Sequence, residues 1–458
     1  MESKVFTIDF RLKHEDIKLN PAQTLVMGFA AVILIGAILL NLPIASKNGE
    51  SVGFINALFT SASAVCVTGL VVVDTGTYWT IFGQVIILLL IQIGGLGFMT
   101  LTTLIALVLG KRIMLRERLV MQEALNQFST AGVVRLTQQI IITTFSIEGV
   151  AALLLSIRFI PLYGLAKGIG YGVFHSISAF CNAGFDLIGD FRSLTPFVED
   201  PLINIVVGSL IILGGLGFAV VMEVWNKKSF KNFSLHTKLV LLITGILLSV
   251  GFIVILVLEY SNPDTMAGLT LKGKLLSAGF HSITPRTAGF NTLPTDKLTM
   301  ASIFFTIVLM FIGGSPAGTA GGVKTTTAGV ILWTIISEIR GKADTEVFKK
   351  RIPREIVSRS LAIIGLAGTL VIIVTMMLSI TEKGPSFLEI FFEVTSAFGT
   401  VGLSLGITSN LTNIGKLLIS FTMFAGRVGP LTVALALANQ QLRNKGHYRY
   451  PEEKVIVG

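Results

Sequence analysis

Phe59 to Leu70 reads FTSASAVCVTGL, an apolar stretch closed by a glycine and too short to span a bilayer core, which needs about 20 residues. The chain returns to it three times. Phe174 to Phe185 reads FHSISAFCNAGF, Phe280 to Phe290 reads FHSITPRTAGF with one residue fewer, and Phe392 to Leu403 reads FEVTSAFGTVGL. The shared glycines are Gly69, Gly184, Gly289 and Gly402, separated by 115, 105 and 113 residues. A period near 110 met four times marks a duplicated structural unit.

Each short stretch lies between two longer apolar runs. These fall near 24–43, 80–109, 137–160, 202–224, 238–259, 300–335, 356–380 and 414–438, and each is long enough to cross the membrane. A second signal keeps the same register, because the later run of each pair carries glycines: Gly94-Gly95-Leu96-Gly97, Gly214-Gly215-Leu216-Gly217, Gly313-Gly314 and Gly426-Arg427-Val428-Gly429. Such clusters serve either close helix packing or a bend along a pore. The expected organisation is a tail at 1–20, repeats at 21–118, 130–230, 236–345 and 354–440, and a tail at 441–458.

Composition agrees with a membrane solvent. The 458 residues are 52% hydrophobic and only 14% charged, with mean hydropathy +0.78. The net charge of +10 sits in short segments between apolar runs, such as Lys111-Arg112 with Arg116 and Arg118, Lys227-Lys228 with Lys231, and Lys349-Lys350-Arg351. These segments follow the second, fourth and sixth runs. Asp74, Asp190, Glu199, Asp200, Asp264 and Glu382 lie in the loops inside the pairs, so the positive-inside rule places the basic loops and both termini in the cytoplasm. No continuous basic face with interleaved aromatics points to nucleic acid. Residues 1–20 are polar and read as a mature tail, not a signal peptide. Two cysteines build no disulfide framework, and no cofactor or zinc-type cluster is expected.

Four re-entrant stretches in one chain imply an ion pathway, since non-helical backbone at membrane depth is tolerated only where it lines water or is buried in protein. A short helix ending near the bilayer centre points its carbonyls, and about half a negative charge, at a cation. The segment after it can turn further carbonyls inward, and four copies form rings that replace an ion's hydration shell. Glycine suits the position because it takes left-handed backbone angles freely. No Asp or Glu stands in the four glycine-containing tetrads that close the stretches, which favours a large monovalent cation over a divalent one.

With these motifs in order over residues 20–440, the chain resembles the Ktr/Trk/HKT superfamily of potassium transporters, and most closely its Ktr membrane-subunit branch. Only a short polar tail precedes the first run, whereas the larger Trk-type members carry two additional helices there. The resemblance implies an all-α integral membrane protein of four M1-pore loop-M2 repeats, with eight transmembrane helices and four re-entrant pore helices around a pseudo-fourfold pore. It implies a bacterial plasma-membrane location and potassium as the transported ion, with possible sodium dependence. It assigns the selectivity filter to Val67-Thr68-Gly69, Asn182-Ala183-Gly184, Thr287-Ala288-Gly289 and Thr400-Val401-Gly402. A serine in place of the first glycine goes with sodium transport in plant relatives; all four glycines are present here. As partners it implies a second copy, giving a homodimer, and a cytosolic octameric ring of nucleotide-binding RCK-domain subunits. Basic loops are suited to that ring and equally to lipid headgroups.

Gly313 to Thr327 (GGSPAGTAGGVKTTT) cannot continue a uniform helix through Pro316 and its glycines. The resemblance makes it an intramembrane gate, carried by Gly313, Gly314, Ser315, Pro316, Gly318, Gly321, Gly322 and Lys324. Its partial likeness to a phosphate loop fails because Val323 stands where glycine belongs. Arg427, a charge inside the last span, is expected to face a cavity or partner and to tune occupancy or gating, with Glu393 as its expected partner. Cys66 and Cys181 are expected as buried free thiols, Glu148 as a hydrogen-bonded packing residue, and His175 and His281 as hydrogen-bonded residues at the starts of the pore helices. Three rivals are weaker: a sodium-selective or sodium-coupled transporter of the same design, a proton-coupled solute symporter, and an intramembrane serine protease. The symporter lacks paired intramembrane acids. For the protease, Ala317 stands where Ser315 would need its second glycine, so no enzyme is expected.

Overall fold

The computed structural model describes residues 21–97, 100, 113, 115–124, 132–437, 451 and 453. The expected tail at 1–20, Lys111-Arg112, most of the second half of the run at 80–109 and, apart from Pro451 and Glu453, the tail at 441–458 lie outside the described residues.

The first unit holds α1 (Pro21–Leu40), α2 (Phe54–Val65), the one-turn α3 (Thr75–Tyr78) and α4 (Ile81–Leu96), and α5 (Leu115–Ala124) leads out of it. The second holds α6 (Val133–Tyr163), α7 (Leu165–Phe180), α8 (Pro201–Leu216) and α9 (Phe218–Lys227). In the third come α10 (Leu235–Glu259), α11 (Leu271–Ile283), α12 (Met300–Phe311) and α13 (Thr325–Ile339), followed by a small hairpin of β1 (Glu346–Val347) and β2 (Lys350–Arg351). The fourth holds α14 (Arg354–Thr381), α15 (Phe387–Gly399), α16 (Asn413–Val428) and α17 (Pro430–Leu437).

Among the described residues four helices, α1, α6, α10 and α14, are each long and apolar enough to cross a bilayer alone. At 1.5 Å per residue even the 20-residue α1 covers about 30 Å. They leave large apolar side chains such as Ile35, Ile142, Ile253 and Ile372 exposed, as lipid-facing surfaces do.

The second run of each pair is interrupted. Besides the break expected at 313–327, the helices stop at Gly97, Gly217 and Gly429, inside the clusters for which either packing or a bend is expected, where φ is +80°, +89° and +97°. α8 and α9 meet at 98° across Gly217. Only glycine holds such backbone angles without a Cβ clash, so the last glycine of each of these clusters ends a helix. The first glycine packs: a side chain on Gly94, Gly214 or Gly426 would overlap the carbonyl of Val65, Phe180 or Phe398, each at or beside the last residue of a pore helix. The clusters therefore combine close packing with a break.

Lipid tails are as apolar as leucine, so burial alone does not hold these helices together; packing of small residues and interhelical hydrogen bonds do. Pore-helix serines supply the bonds. Ser61 Oγ donates to Ile33 O at 2.7 Å, Ser176 Oγ to Glu148 O at 2.6 Å and Ser282 Oγ to Leu248 O at 2.6 Å, each tying a pore helix to its unit's first long helix. The fourth unit has Val394 at that column. Caps fix where the second helices begin: Thr80, Asp200, Thr299 and Thr412 accept from backbone N–H groups of the first turn. Glu259 and Glu382, ending or following the preceding long helices, accept in turn from the N–H of Thr299 at 2.9 Å and of Thr412 at 3.0 Å.

Candidate functional site

Pore helices α2, α7, α11 and α15 all end beside the shared glycines. After each helix the chain alternates hands. Val67, Asn182, Thr287 and Thr400 take φ of +50°, +59°, +70° and +51°, and Gly69, Gly184, Gly289 and Gly402 take +92°, +71°, +76° and +91°. Thr68, Ala183, Ala288 and Val401, between them, are not in the left-handed region. Alternation of this kind turns successive carbonyls toward one side, which a uniform strand cannot do. A left-handed angle at β-branched Val67, Thr287 and Thr400 is strained, and surrounding structure must hold it.

Part of that restraint is visible in the hydrogen bonds. Ser63 Oγ accepts from Gly69 N and Ser396 Oγ from Gly402 N, both at 3.1 Å. Ser178 Oγ donates to Phe185 O at 2.7 Å, and Thr284 Oγ1 donates to Phe290 O, its counterpart in the shorter third segment. Ser63, Ser178, Thr284 and Ser396 occupy one column of the fourfold repeat, which is the sequence signal for these hydroxyls.

The four segments meet in cyclic order. A β-carbon on Gly69 would lie 2.5 Å from Ala183 O, one on Gly184 would lie 2.7 Å from Ala288 O, and one on Gly289 would lie 2.7 Å from Val401 O. On Gly402 it would overlap Thr68 O, which closes the ring from the fourth unit back to the first. Between units two and three, the Asn182 carboxamide accepts from Thr287 Oγ1 at 3.3 Å and donates to the carbonyls of Ala179 and Ile211. On one side of the ring opens a cavity of about 480 Å³ that all four glycines line, with Asp74, Asp186 and Asp296 on its wall. The twelve residues expected at a filter thus come together around one axis.

On the opposite side lies the open stretch between α12 and α13. Ser315 N and Thr319 N donate to Gly215 O and Gly214 O at 2.8 and 3.1 Å, and Gly322 N donates to Gly426 O at 3.3 Å. Gly321 packs so tightly on Thr400 that any side chain there would overlap its hydroxyl. Pro316 O faces Gly217 in the same way. Lys324 Nζ donates within the stretch to Ala320 O at 2.7 Å.

Arg427 does not meet Glu393. Its guanidinium donates to Thr319 O in the open stretch and to Gly94 O and Gly95 O at the end of α4, the last at 3.2 Å. Glu393 accepts from Ser404 Oγ at 2.8 Å and from Thr408 Oγ1. The two share a unit but belong to different layers, because Arg427 ends α16 whereas Glu393 faces the residues that follow Gly402. Nor do the two histidines sit at helix starts: His175 and His281 lie in the second halves of α7 and α11. Tyr171 O lies 2.8 Å from His175 Nδ1, and His281 Nε2 is 3.2 Å from Thr306 Oγ1. Cys66 and Cys181 are buried free thiols. Gln92 Nε2 donates to both oxygens of Glu148, at 3.2 and 3.3 Å.

The model of the family TrkH, described as cation transport protein, matches residues 8–445. Ktr system potassium uptake protein B of Bacillus subtilis (strain 168) is 47% identical over 442 residues, covering 96% of this chain and 98% of that protein. The potassium/sodium uptake protein NtpJ of Enterococcus hirae is 43% identical over 96% of this chain and 98% of its own length. Ktr system potassium uptake protein B of Vibrio alginolyticus is 40% identical over 97% of each. The crystal structure of the potassium transporter TrkH from Vibrio parahaemolyticus superposes with a TM-score of 0.72, covering 94% of this chain and 87% of that one at 18% identity, which shows a common fold. The chain belongs to the TrkH family: it is a multi-pass membrane cation transport protein and not an enzyme.

Proposed function

We propose that this member of the TrkH family takes up potassium, with Val67-Thr68-Gly69, Asn182-Ala183-Gly184, Thr287-Ala288-Gly289 and Thr400-Val401-Gly402 as its selectivity filter. The observation that carries the reading is the closed ring, in which each glycine meets the main-chain oxygen of the next unit. Main-chain oxygens gathered about one axis can replace the hydration shell of a weakly hydrated cation. Potassium uptake named for relatives at 47% and 40% identity supports the choice of ion.

Gly313 to Lys324 serves as the gate on the far side of the filter, tied down by Arg427. Both termini and the basic loops face the cytoplasm. Two copies form a homodimer of pores in the membrane, and a cytosolic octameric ring of nucleotide-binding subunits regulates them; the word "system" in the relatives' names supports a multi-component assembly. Potassium-limited growth of a transport-deficient bacterium tests the function: the chain restores growth, and Gly402→Ser removes the restoration or shifts cation preference to sodium. Unchanged uptake and preference in Gly402→Ser and its three counterparts would dismiss the filter. Sodium-selective uptake by the same architecture is the second reading, favoured by the name of the 43% identical relative, and uptake carried by sodium without potassium would establish it.

A further inference from the structure

Arg286 stands directly before Thr287 and is 6% exposed. Its side chain borders a cavity of about 10 Å³ formed by Ile211, Ile212, Gly215, Thr244, Leu248 and Ile283. No carboxylate is among these residues. Among the described residues the guanidinium has no ion pair and no hydrogen-bond partner, and Nε is fully enclosed without one. The hydroxyl of Thr244 in the same cavity is likewise unpartnered. Arg427 is the contrast: it is half-buried, and it donates to three carbonyls.

An arginine keeps its proton at any physiological pH, so this group is a cation without a counter-charge. Its surroundings are apolar, and there the field of a charge reaches farther than in water. The backbone of the same residue borders the ring, since Thr287 follows it and bonds to Asn182 of the neighbouring unit. A cation on the axis therefore feels it. Aspartates on the wall of the cavity beyond the ring act with the opposite sign.

We propose that Arg286 is a fixed positive charge behind the third segment that weakens the hold of the pore on its cation, so that ions leave the ring quickly. Conduction requires binding strong enough for entry and weak enough for exit, and an unpaired charge at this depth shifts that balance toward exit. The inference rests on the pore reading above and assigns to that site a residue that sets occupancy through its charge.

Potassium flux into liposomes containing the purified full chain tests it, with Arg286→Gln, Arg286→Met and Arg286→Lys compared as folded, monodisperse protein. Loss of charge in the Gln and Met variants is expected to lower the half-saturating potassium concentration about tenfold and to reduce maximal flux, with Lys within about twofold of the wild type. An unchanged half-saturation in Gln and Met overturns the proposal. So does a Lys variant shifted as far as Gln, because guanidinium shape and not charge would then matter. Should the neutral variants not fold, Thr244→Asp places a compensating carboxylate in the same cavity; it carries the same expected drop in half-saturation, and no drop overturns the proposal. A wild-type chain that moves no potassium would instead remove the pore reading, and this inference with it.

Discussion

Gly402 faces the main-chain oxygen of Thr68 so closely that a β-carbon would overlap it, although 334 residues separate the two in sequence. The contact joins the last unit to the first. Without it the four segments would form an open arc, and no ion could be surrounded.

Gly402→Ala therefore meets two obstacles, a backbone at φ +91° and the oxygen of Thr68. The left-handed angle alone costs a non-glycine residue about 1–2 kcal/mol, and the overlap adds to it. Potassium uptake is expected to fall more than about tenfold. Gly184→Ala and Gly289→Ala, with 2.7 Å to the facing oxygen, are expected to lose less. Rubidium-tracer uptake in a potassium-transport-deficient strain reads the order, and equal losses at all four glycines would contradict it.

Arg427→Gln removes a charged clamp between the open stretch and α4. Charge-assisted hydrogen bonds of this kind contribute about 1.5–3 kcal/mol each, so losing one shifts the balance of the stretch toward release by about tenfold or more. Flux through reconstituted protein should rise. Arg427→Lys should behave like Gln, because one ammonium group cannot reproduce the fork that reaches Thr319, Gly94 and Gly95. A lysine variant with wild-type flux would show that charge alone suffices.

Ser63→Ala and Ser396→Ala each remove the acceptor of one glycine N–H in the ring, worth about 1 kcal/mol. Potassium-over-sodium preference in competition uptake is expected to drop by up to about tenfold in the double variant. Its melting temperature should hardly change. A large fall in stability with preference intact would assign the serines to packing.

Gly94→Ala and Gly214→Ala insert a methyl group against a pore-helix carbonyl and should destabilise by at least about 1–3 kcal/mol. Gly149→Ala and Gly365→Ala lie within α6 and α14 with nothing within 4 Å of the added carbon. There helix propensity should stabilise by about 0.5–1 kcal/mol. Thermal unfolding of detergent-solubilised protein separates the pairs.

Glu199 accepts from Thr270 Oγ1 at 2.7 Å and from Thr270 N at 2.9 Å, and those bonds hold its carboxyl below the usual value of 4.5. A carboxyl lowered by folding stabilises above its unfolded value, and the contribution disappears as pH falls through the folded one. Glu199→Gln should flatten the acid limb of melting temperature against pH below about 4.5. An acid limb parallel to the wild type would remove the residue from this role.

Much of this architecture is legible without coordinates. Apolar runs near 20 residues announce membrane helices because lipid admits almost no unpaired backbone, and the recurrence of Phe59–Leu70 in three later stretches announces repetition. The column containing Ser63, Ser178, Thr284 and Ser396 was present in the same alignment, but a serine in a pore helix has many acceptors within reach. Its partner appears only when the following segment folds back. Val67 and Thr400 show a different limit: β-branched residues are poor choices for φ above zero, so local preference argues against the conformation that the neighbouring units impose.

Sequence by itself determined that the chain is a mostly helical membrane protein with four related units, since hydropathy and glycine spacing are local quantities; the small hairpin of β1 and β2 it did not announce. Which groups meet was decided by tertiary structure. Arg427 takes carbonyls from two other units instead of the nearby Glu393, and Arg286 is left without a partner, because contacts across units depend on helix angles and glycine breaks that set distances over hundreds of residues. A buried cation's partner is settled by geometry among desolvated groups, and that geometry exists only once the ring has closed.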